Sequence, residues 1–281
     1  MSGRRTGGWA SRLFGGAVRG AVRAGVPAPR IILTYHDVGE QPGAVPAQAF
    51  AAQIERALDA GYTFVPPTAM TAWSRGECRL PGRAIAITFD DGLASTARVA
   101  APILKRHDIP AMVFPVLDFL DGPRRYGSVK ARAILAEDDG EVDTLPWDYM
   151  TWAELDAWVQ QGGEVGGHTL THPFLGETSP SCGREEVAAC RRRLAERYGE
   201  PPAIFCYPFG DASGSAGQWV REAGFQSAVT TVTGVVALDQ DPLLIPRVPA
   251  PAQAGAAFDD VLFGIFHHRQ AVRRLLAGGA A

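Results

Sequence analysis

The sequence lacks the features that mark several large classes of protein. Its 281 residues include four cysteines, which do not make a disulfide framework in a chain of this length. It has no apolar stretch long enough for a secretory signal or a transmembrane helix. A net charge of −3 and a pI near 6.1 give no electrostatic case for binding nucleic acid. We therefore expect a cytoplasmic protein, or one held peripherally on the cytoplasmic face of a membrane.

Helical and strand-like patterns alternate through residues 30–281. With 46% hydrophobic residues, a chain of this length can bury one large core. Strand-like runs lie at 31–37, 84–90, 111–117, 163–168, 203–208, 225–231 and 243–248. Helical patterns between them lie at 50–60, 95–107, 152–161 and 185–198. This alternation favours parallel strands joined by crossover helices, and it predicts a single α/β domain with an irregular, TIM-like (β/α)7 barrel.

The basic leader, residues 1–29, is open to three interpretations. At about 100° per residue, its arginines and apolar side chains fall on opposite faces: Arg5, Arg12, Arg19 and Arg23 against Phe14, Val18 and Val22. An interfacial amphipathic helix has this pattern and would contact a membrane through residues 5–23. However, each of three glycines weakens such a helix by up to about 1 kcal/mol. A disordered leader, or a helix that plugs the bottom of the barrel, is therefore preferred.

Two further patterns are expected to be structural. The run of three arginines at 191–193 lies in a helical pattern with Glu185 and Glu186 nearby, which predicts a solvated helix face. Cys206 is expected to be a small packing residue. The other cysteines lack the spacing of a metal site and are expected to be free thiols: Cys78, Cys182 and Cys190.

Two adjacent carboxylates follow the apolar run at 84–87. On a regular strand, neighbouring side chains point to opposite faces, so Asp90 and Asp91 could not share a site. Gly92 lets the backbone turn sharply where the strand ends, and both acids can then reach one pocket. An ordinary strand that ends in an Asp-Gly turn explains the same residues. The segment alone does not decide between these interpretations.

Two histidines follow the strand-like run at 163–168. The spacing of His168 and His172 suits one helix face, but Pro173 disfavours the α region at the residue before it. Both imidazoles are therefore expected on a loop. Together with Asp91 they give three protein ligands and an open position for water, which is the pattern of a catalytic metal site. The alternative is a pair of loop histidines that cap polar backbone groups.

The segments Thr88-Phe89-Asp90-Asp91-Gly92 and His168-Thr169-Leu170-Thr171-His172 resemble the first two motifs of polysaccharide deacetylases. These are the NodB-homology enzymes of carbohydrate esterase family 4. The segment at 205–210, Phe-Cys-Tyr-Pro-Phe-Gly, resembles the third motif, and the resemblance covers roughly residues 30–250. It implies the same barrel, with Asp90 as the catalytic base. It also implies that the backbone N–H of Tyr207 helps to bind the oxyanion, and that three residues hold the metal: Asp91, His168 and His172.

Two positions depart from the usual family pattern. Many members carry an arginine in the third motif that orients the base, and this sequence has Cys206 and Tyr207 there instead. The segment after Gly210 also lacks the late histidine that serves as general acid. His267 and His268 lie in a C-terminal helical pattern and are poor substitutes.

The N-terminal strand offers a replacement for the missing acid, and its resemblance points to one for the missing arginine. Residues 31–38 resemble the start of the poly-N-acetylglucosamine deacetylases, a subgroup whose motif order is circularly permuted. This resemblance makes His36 the expected general acid, and the alternative is a half-buried strand histidine. It also makes Arg247 a candidate partner that keeps Asp90 ionised, and the alternative is an ordinary surface arginine.

We therefore expect a metal-dependent hydrolase that removes acetyl groups from N-acetylated amino sugars in a glycan or glycoconjugate. The expected cofactor is a divalent ion, preferably Zn²⁺, with Co²⁺, Ni²⁺ or Fe²⁺ as alternatives. A segment at about 118–150 is too long for a simple βα connection. It carries Tyr126, Trp147 and Tyr149. These aromatics either stack on sugar rings or pack down a surface excursion.

Three rival functions remain open. One is removal of an acetyl or formyl group from a lipid-linked sugar at the cytoplasmic membrane face. Another is hydrolysis of an amide unrelated to sugars. The third is a non-catalytic glycan-binding module. The presence of Asp90, Asp91, His168 and His172 argues against it, because a site without catalytic activity needs neither a base nor a complete set of three metal ligands.

Overall fold

The computed structural model of the chain describes residues 28–121 and 147–264. The strands of these segments are β1 (Ile31–Tyr35), β2 (Thr63–Phe64), β3 (Ala84–Asp91), β4 (Ala111–Pro115), β5 (Glu164–Val165), β6 (Ile204–Cys206), β7 (Ser227–Thr233) and β8 (Ile245–Pro249). Their α-helices are α1 (Ala47–Asp59), α2 (Pro67–Ser74), α3 (Ala101–Arg106), α4 (Trp152–Gln160), α5 (Pro180–Tyr198), α6 (Ala216–Glu222) and α7 (Ala256–Leu262).

The strands form one parallel sheet that closes on itself. Its order is β5-β4-β3-β1-β8-β7-β6, and β2 pairs with the start of β3 outside this path. The two ends of the sheet meet just after β5. There the Gly167 amide donates to the Ile204 carbonyl at 3.0 Å, and the Cys206 amide donates to the Gly167 carbonyl at 2.8 Å. The predicted seven-stranded (β/α) barrel in a single α/β domain is therefore confirmed.

Two glycines make this closure possible and also explain why β5 is so short. A Cβ atom on Gly166 would lie 2.2 Å from the Phe114 ring, and one on Gly167 would lie 2.6 Å from the Phe225 ring. The chain can therefore pass between β4 and β6 only where it has no side chain. The strand predicted at 163–168 is reduced to Glu164–Val165, and the following glycines bridge the gap.

Alternate side chains along each strand enter two different parts of the core. Ile32, Ala86 and Ile245 pack together inside the barrel, whereas Leu33 and Ile87 pack outward against the helices. This two-residue period means that polar residues further along the same strands also face the barrel interior. Thr88 and Asp90 continue the inward row of β3, and Arg247 continues that of β8.

Helix α2, which sequence patterns did not predict, closes the bottom of the barrel. Met70 of α2 packs into the interior cluster with Ala84, the first residue of β3. Glu164 begins β5, and its carboxylate accepts hydrogen bonds from the hydroxyl and the backbone N–H of Thr68, the latter at 3.1 Å.

Several predictions fall on residues outside the described segments. These are residues 1–27 of the leader, Tyr126 with most of the insertion, and the C-terminal pattern that contains His267 and His268. Within residues 28–121 and 147–264, no helix is both long enough and apolar enough to cross a membrane.

Candidate active site

The carboxyl ends of the strands surround an open cavity of about 510 Å³. His36 follows β1, and Asp90 and Asp91 end β3. The chain after β5 contributes His168 and His172, and Tyr207 follows β6. Six of the seven predicted site residues therefore line one cavity, at the end of the barrel where such folds place their active sites. The seventh, Arg247, lies directly behind Asp90.

Asp90 and Arg247 form a buried bidentate ion pair. Each terminal guanidinium nitrogen donates to one oxygen of the Asp90 carboxylate, and both distances are 2.7 Å. The exposed fraction is 3% for Asp90 and 1% for Arg247. The guanidinium also donates to the Thr230 carbonyl and to the Thr88 hydroxyl, both at 3.1 Å. Arg247 is therefore not an ordinary surface arginine. It is buried, and its two terminal guanidinium nitrogens fix the orientation of the Asp90 carboxylate.

Asp91, His168 and His172 converge on one point beside this pair. The Nε2 atoms of both histidines lie 3.3 Å from Oδ1 of Asp91. One potential ligand atom from each residue lies within 4.8 Å of the other two. Nδ1 of His168 donates to the Cys206 carbonyl at 2.7 Å, which leaves Nε2 facing Asp91. This hydrogen bond holds the imidazole as such contacts hold metal ligands.

Backbone strain is concentrated around these side chains. Four non-glycine residues at the site have a positive φ: Asp91 (67°), Thr169 (67°), His172 (56°) and Phe209 (56°). A left-handed conformation costs an L-residue roughly 1–2 kcal/mol. The turn that lets Asp90 and Asp91 share a cavity therefore begins at Asp91, one residue before the predicted position. Gly92 continues it with φ of 75°, where a Cβ atom would lie 2.9 Å from Pro115.

The family model for polysaccharide deacetylase matches residues 78–228, more than half of the chain. The chain belongs to the polysaccharide deacetylase family. This deacetylase is therefore a hydrolase that acts on carbon–nitrogen bonds other than peptide bonds. A curated relative, the YxkH protein of Bacillus subtilis (strain 168), is 24% identical over 234 residues. The match covers 83% of this chain and 75% of YxkH, whose name places it among polysaccharide deacetylases.

Solved structures have the same fold as this deacetylase. IcaB from Ammonifex degensii matches with a TM-score of 0.68 at 23% identity, covering 84% of this chain and 96% of IcaB. The Streptococcus pyogenes deacetylase PplD, solved in complex with acetate, matches with a TM-score of 0.67 at 21% identity, covering 84% and 98%. The site residues come to one cavity on a fold that these proteins share.

The Asp90–Arg247 ion pair and the group of Asp91, His168 and His172 determine the charges in the deacetylase cavity. Burial raises the pKa of the Asp90 carboxyl, but the charge and hydrogen bonds of Arg247, with smaller contributions from His36 and His168, bring it below its ordinary value. Burial likewise opposes ionisation of Asp91, but hydrogen bonds with His168 and His172 hold its pKa well below the ordinary value. Both carboxyls are therefore anionic at neutral pH, one as a candidate base and one as a candidate ligand.

His36 and Tyr207 occupy different positions relative to the base. Nε2 of His36 lies 4.0 Å from Oδ2 of Asp90, and its side chain is 56% exposed at the cavity mouth. His36 thus borders the cavity, and its role as proton donor stays a prediction. The Tyr207 amide donates a long hydrogen bond of 3.3 Å to the Val229 carbonyl. Its contribution to an oxyanion stays a prediction.

Sequence reasoning missed the part that Cys206 plays. Besides the contact of its carbonyl with His168, its thiol lies 3.6 Å from Oδ2 of Asp90 and 3.2 Å from a nitrogen of Arg247. Cys206 packs in the barrel interior, as expected, and its thiol also contacts the buried ion pair. The alternation of Ile204 and Cys206 along β6 was the available signal, since both positions face the barrel interior.

Phe209 and Phe174 form an aromatic wall that was also not predicted. Their rings stack with centroids 4.0 Å apart and planes 5° apart. The Phe209 ring meets the His172 imidazole edge-on, with centroids 4.4 Å apart. The left-handed backbone of Phe209 places this ring against the candidate metal ligand. It therefore fixes one side of His172 and lines the cavity.

Proposed function

We propose that this deacetylase hydrolyses the acetamide of N-acetylated amino sugars in a glycan or glycoconjugate, with a divalent metal ion held by Asp91, His168 and His172. One observation carries the proposal. A carboxylate fixed by a buried arginine stands in the same cavity as a converging group of one carboxylate and two imidazoles. A base beside three ligands is the arrangement that metal-assisted amide hydrolysis requires.

The donor set fits a divalent cation. Asp91 supplies an anionic oxygen, and His168 supplies an imidazole nitrogen whose partner nitrogen is occupied by a backbone carbonyl. Two nitrogens and one oxygen suit zinc, and the same set accepts cobalt, nickel or iron. A bound ion would supply positive charge that polarises the amide carbonyl and favours deprotonation of water.

The protein's own groups account for both proton transfers. Asp90 accepts a proton from the attacking water while the water oxygen bonds to the acetamide carbon. Arg247 keeps the Asp90 carboxylate oriented through its two hydrogen bonds. When the carbon–nitrogen bond breaks, the electron pair stays on nitrogen, and protonated His36 donates a proton to it. The products are acetate and a free amine on the sugar.

The shape of the cavity supports a substrate larger than one sugar. A second basin of about 500 Å³ shares Asp37, Pro42, Leu93 and Trp147 with the catalytic cavity. Its lining adds Ser95 and other polar groups that can hydrogen-bond to hydroxyls. Trp147 lies between the two basins, where an indole can stack on a sugar ring. Adjacent units of a glycan can therefore occupy both basins.

Release of free amine from N-acetylglucosamine oligomers of different linkages and lengths tests this proposal. We expect release by the wild-type protein with added zinc or cobalt, rising from the monosaccharide to longer oligomers. The Asp91→Ala variant should lose both bound metal and release, because it removes the oxygen ligand. Metal binding without release from any oligomer would contradict the proposed substrate and favour a lipid-linked sugar or a small amide.

His36→Ala should retain wild-type metal content and lose turnover. The side chain is exposed at the cavity mouth and is not part of the metal group, so folding and metal binding do not depend on it. We expect kcat to fall by about 10²–10⁴-fold, the usual contribution of a general acid. His107→Ala, at the exposed end of α3, is the matched control. Wild-type turnover in His36→Ala would show that the proton comes from another group.

A further inference from the structure

We infer that Glu186 is a positioning residue that holds the loop from His168 to His172 in the shape needed to bind metal. This inference rests on the metal site proposed above. Glu186 lies on α5, outside the cavity, and its exposed fraction is 8%. The solvated helix face was predicted for the arginines at 191–193, and Glu186, which lies near them on the same helix, is buried instead. Glu185 beside it is on the solvent side, with 65% of its side chain exposed.

The Glu186 carboxylate binds the centre of the loop through three contacts. Its Oε2 accepts hydrogen bonds from the backbone N–H of Leu170 at 2.8 Å and of Thr171 at 3.0 Å. Its Oε1 accepts one from the Thr171 hydroxyl at 2.6 Å. The carboxylate thus accepts hydrogen bonds from two consecutive backbone amides that lie between the two histidines. No sheet ladder is present to pair them, since β5 ends at Val165.

The loop needs such a partner because its backbone is strained. Thr169 and His172 both have a positive φ, and Thr169 is β-branched, for which this conformation is a genuine outlier. Strained residues persist only where the surroundings over-determine their conformation. The Thr169 and Leu170 carbonyls accept hydrogen bonds from the amides of Leu117 and Asp118, at 3.3 and 3.0 Å.

Helix α5 supports the loop at a second point, one turn after Glu186. Cys190 is fully buried in the core cluster against which Leu170 of the loop packs. The side chains at positions i and i+4 lie on one helix face, so Glu186 and Cys190 act from the same surface. The orientation of both metal ligands therefore depends on how α5 docks on the loop.

Three variants separate this role from general stabilisation. Glu186→Ala removes all three contacts. Glu186→Gln can restore them, because its carbonyl oxygen can accept from both amides and its NH2 group can donate to the Thr171 hydroxyl. Glu185→Ala is the matched control, because it changes the exposed neighbour on the same helix.

The first readout is amide hydrogen exchange at Leu170 and Thr171 in the metal-free proteins, which does not depend on a bound ion. We expect faster exchange at these two amides in Glu186→Ala, with protection largely recovered in Glu186→Gln. The second readout is zinc affinity by competition with a chelator. We expect Kd to rise about 10–100-fold in Glu186→Ala, the usual effect of losing a group that orients metal ligands.

Unchanged exchange and unchanged zinc affinity in folded Glu186→Ala, relative to Glu185→Ala, would overturn the inference. If Glu186→Ala does not fold, Thr171→Val decides instead, since it removes only the hydroxyl contact. Weaker zinc binding in that variant supports the inference, and wild-type affinity and exchange contradict it. A wild-type protein that binds no zinc would refute the proposed metal site, whereas the exchange data would still report whether Glu186 orders the loop.

Discussion

Asp90→Asn is expected to lower kcat by about 10²–10⁴-fold while the protein keeps its bound metal. Asparagine has nearly the same shape as aspartate, but its amide cannot accept the proton of the attacking water. The metal group does not include Asp90, so its three ligand atoms stay in place. The measurement is free-amine release per metal-loaded chain, with metal content determined on the same sample.

The same substitution also affects stability, and the control must account for this. Asparagine leaves the Arg247 guanidinium buried without a counter-charge, which costs about 3–5 kcal/mol when one partner of a buried pair is removed. Asp259→Asn is the matched control because Asp259 also binds an arginine through two oxygens, but near the surface. We expect it to cost about 0–1 kcal/mol and to leave kcat unchanged. Metal loss in Asp90→Asn would overturn the division of labour between the two aspartates.

Arg247→Leu is expected to change both stability and the pH profile. In the wild-type protein, Arg247 holds the pKa of Asp90 below its ordinary value against the effect of burial. This contribution to stability is fully present above the unfolded-state pKa, and it is lost as the pH falls through the lower folded-state pKa. Without Arg247, burial dominates and raises the pKa of Asp90 above its ordinary value. The sign is then reversed, and the carboxyl destabilises the fold as the pH rises.

Two measurements follow from this reversal. Urea unfolding at neutral pH should show a loss of about 3–5 kcal/mol in Arg247→Leu. The acid limb of kcat/KM should move to higher pH, because a protonated Asp90 cannot act as a base. Arg56→Leu removes the partner of Asp259 at the surface. It should neither cause such a loss of stability nor move the acid limb. An acid limb at the wild-type position in folded Arg247→Leu would show that Arg247 does not control the base.

The convergence of the candidate metal ligands beside Asp90 was predictable because the signals in the sequence are local. Asp90, Asp91 and Gly92 are consecutive and follow an obvious strand, and Pro173 placed His172 on a loop. The pairing of Asp90 with Arg247 joins positions 157 residues apart, so family resemblance can suggest it but no local pattern can. Its only signal within the chain was the two-residue period that puts Arg247 on the same face as Ile245.

Other features could not be predicted because tertiary contacts decide them. Glu185 and Glu186 are the same residue type in one helical pattern, and only the docking of α5 makes one a solvated side chain and the other a buried one. The strand before His168 is short because two glycines pass between Phe114 and Phe225, and the sequence does not reveal these rings as neighbours. Helix α2 is short and begins at the second of two consecutive prolines, so periodicity could not identify it.

Titration of zinc into the metal-free protein tests the central claim most directly, with the rate of amine release from an N-acetylglucosamine oligomer as the readout. The account predicts almost no release without metal, a linear rise as zinc is added, and a plateau at one equivalent per chain. Asp91→Ala should remain inactive throughout the titration. Full release by the metal-free protein would contradict the account, because Asp91, His168 and His172 would then have no part in the reaction.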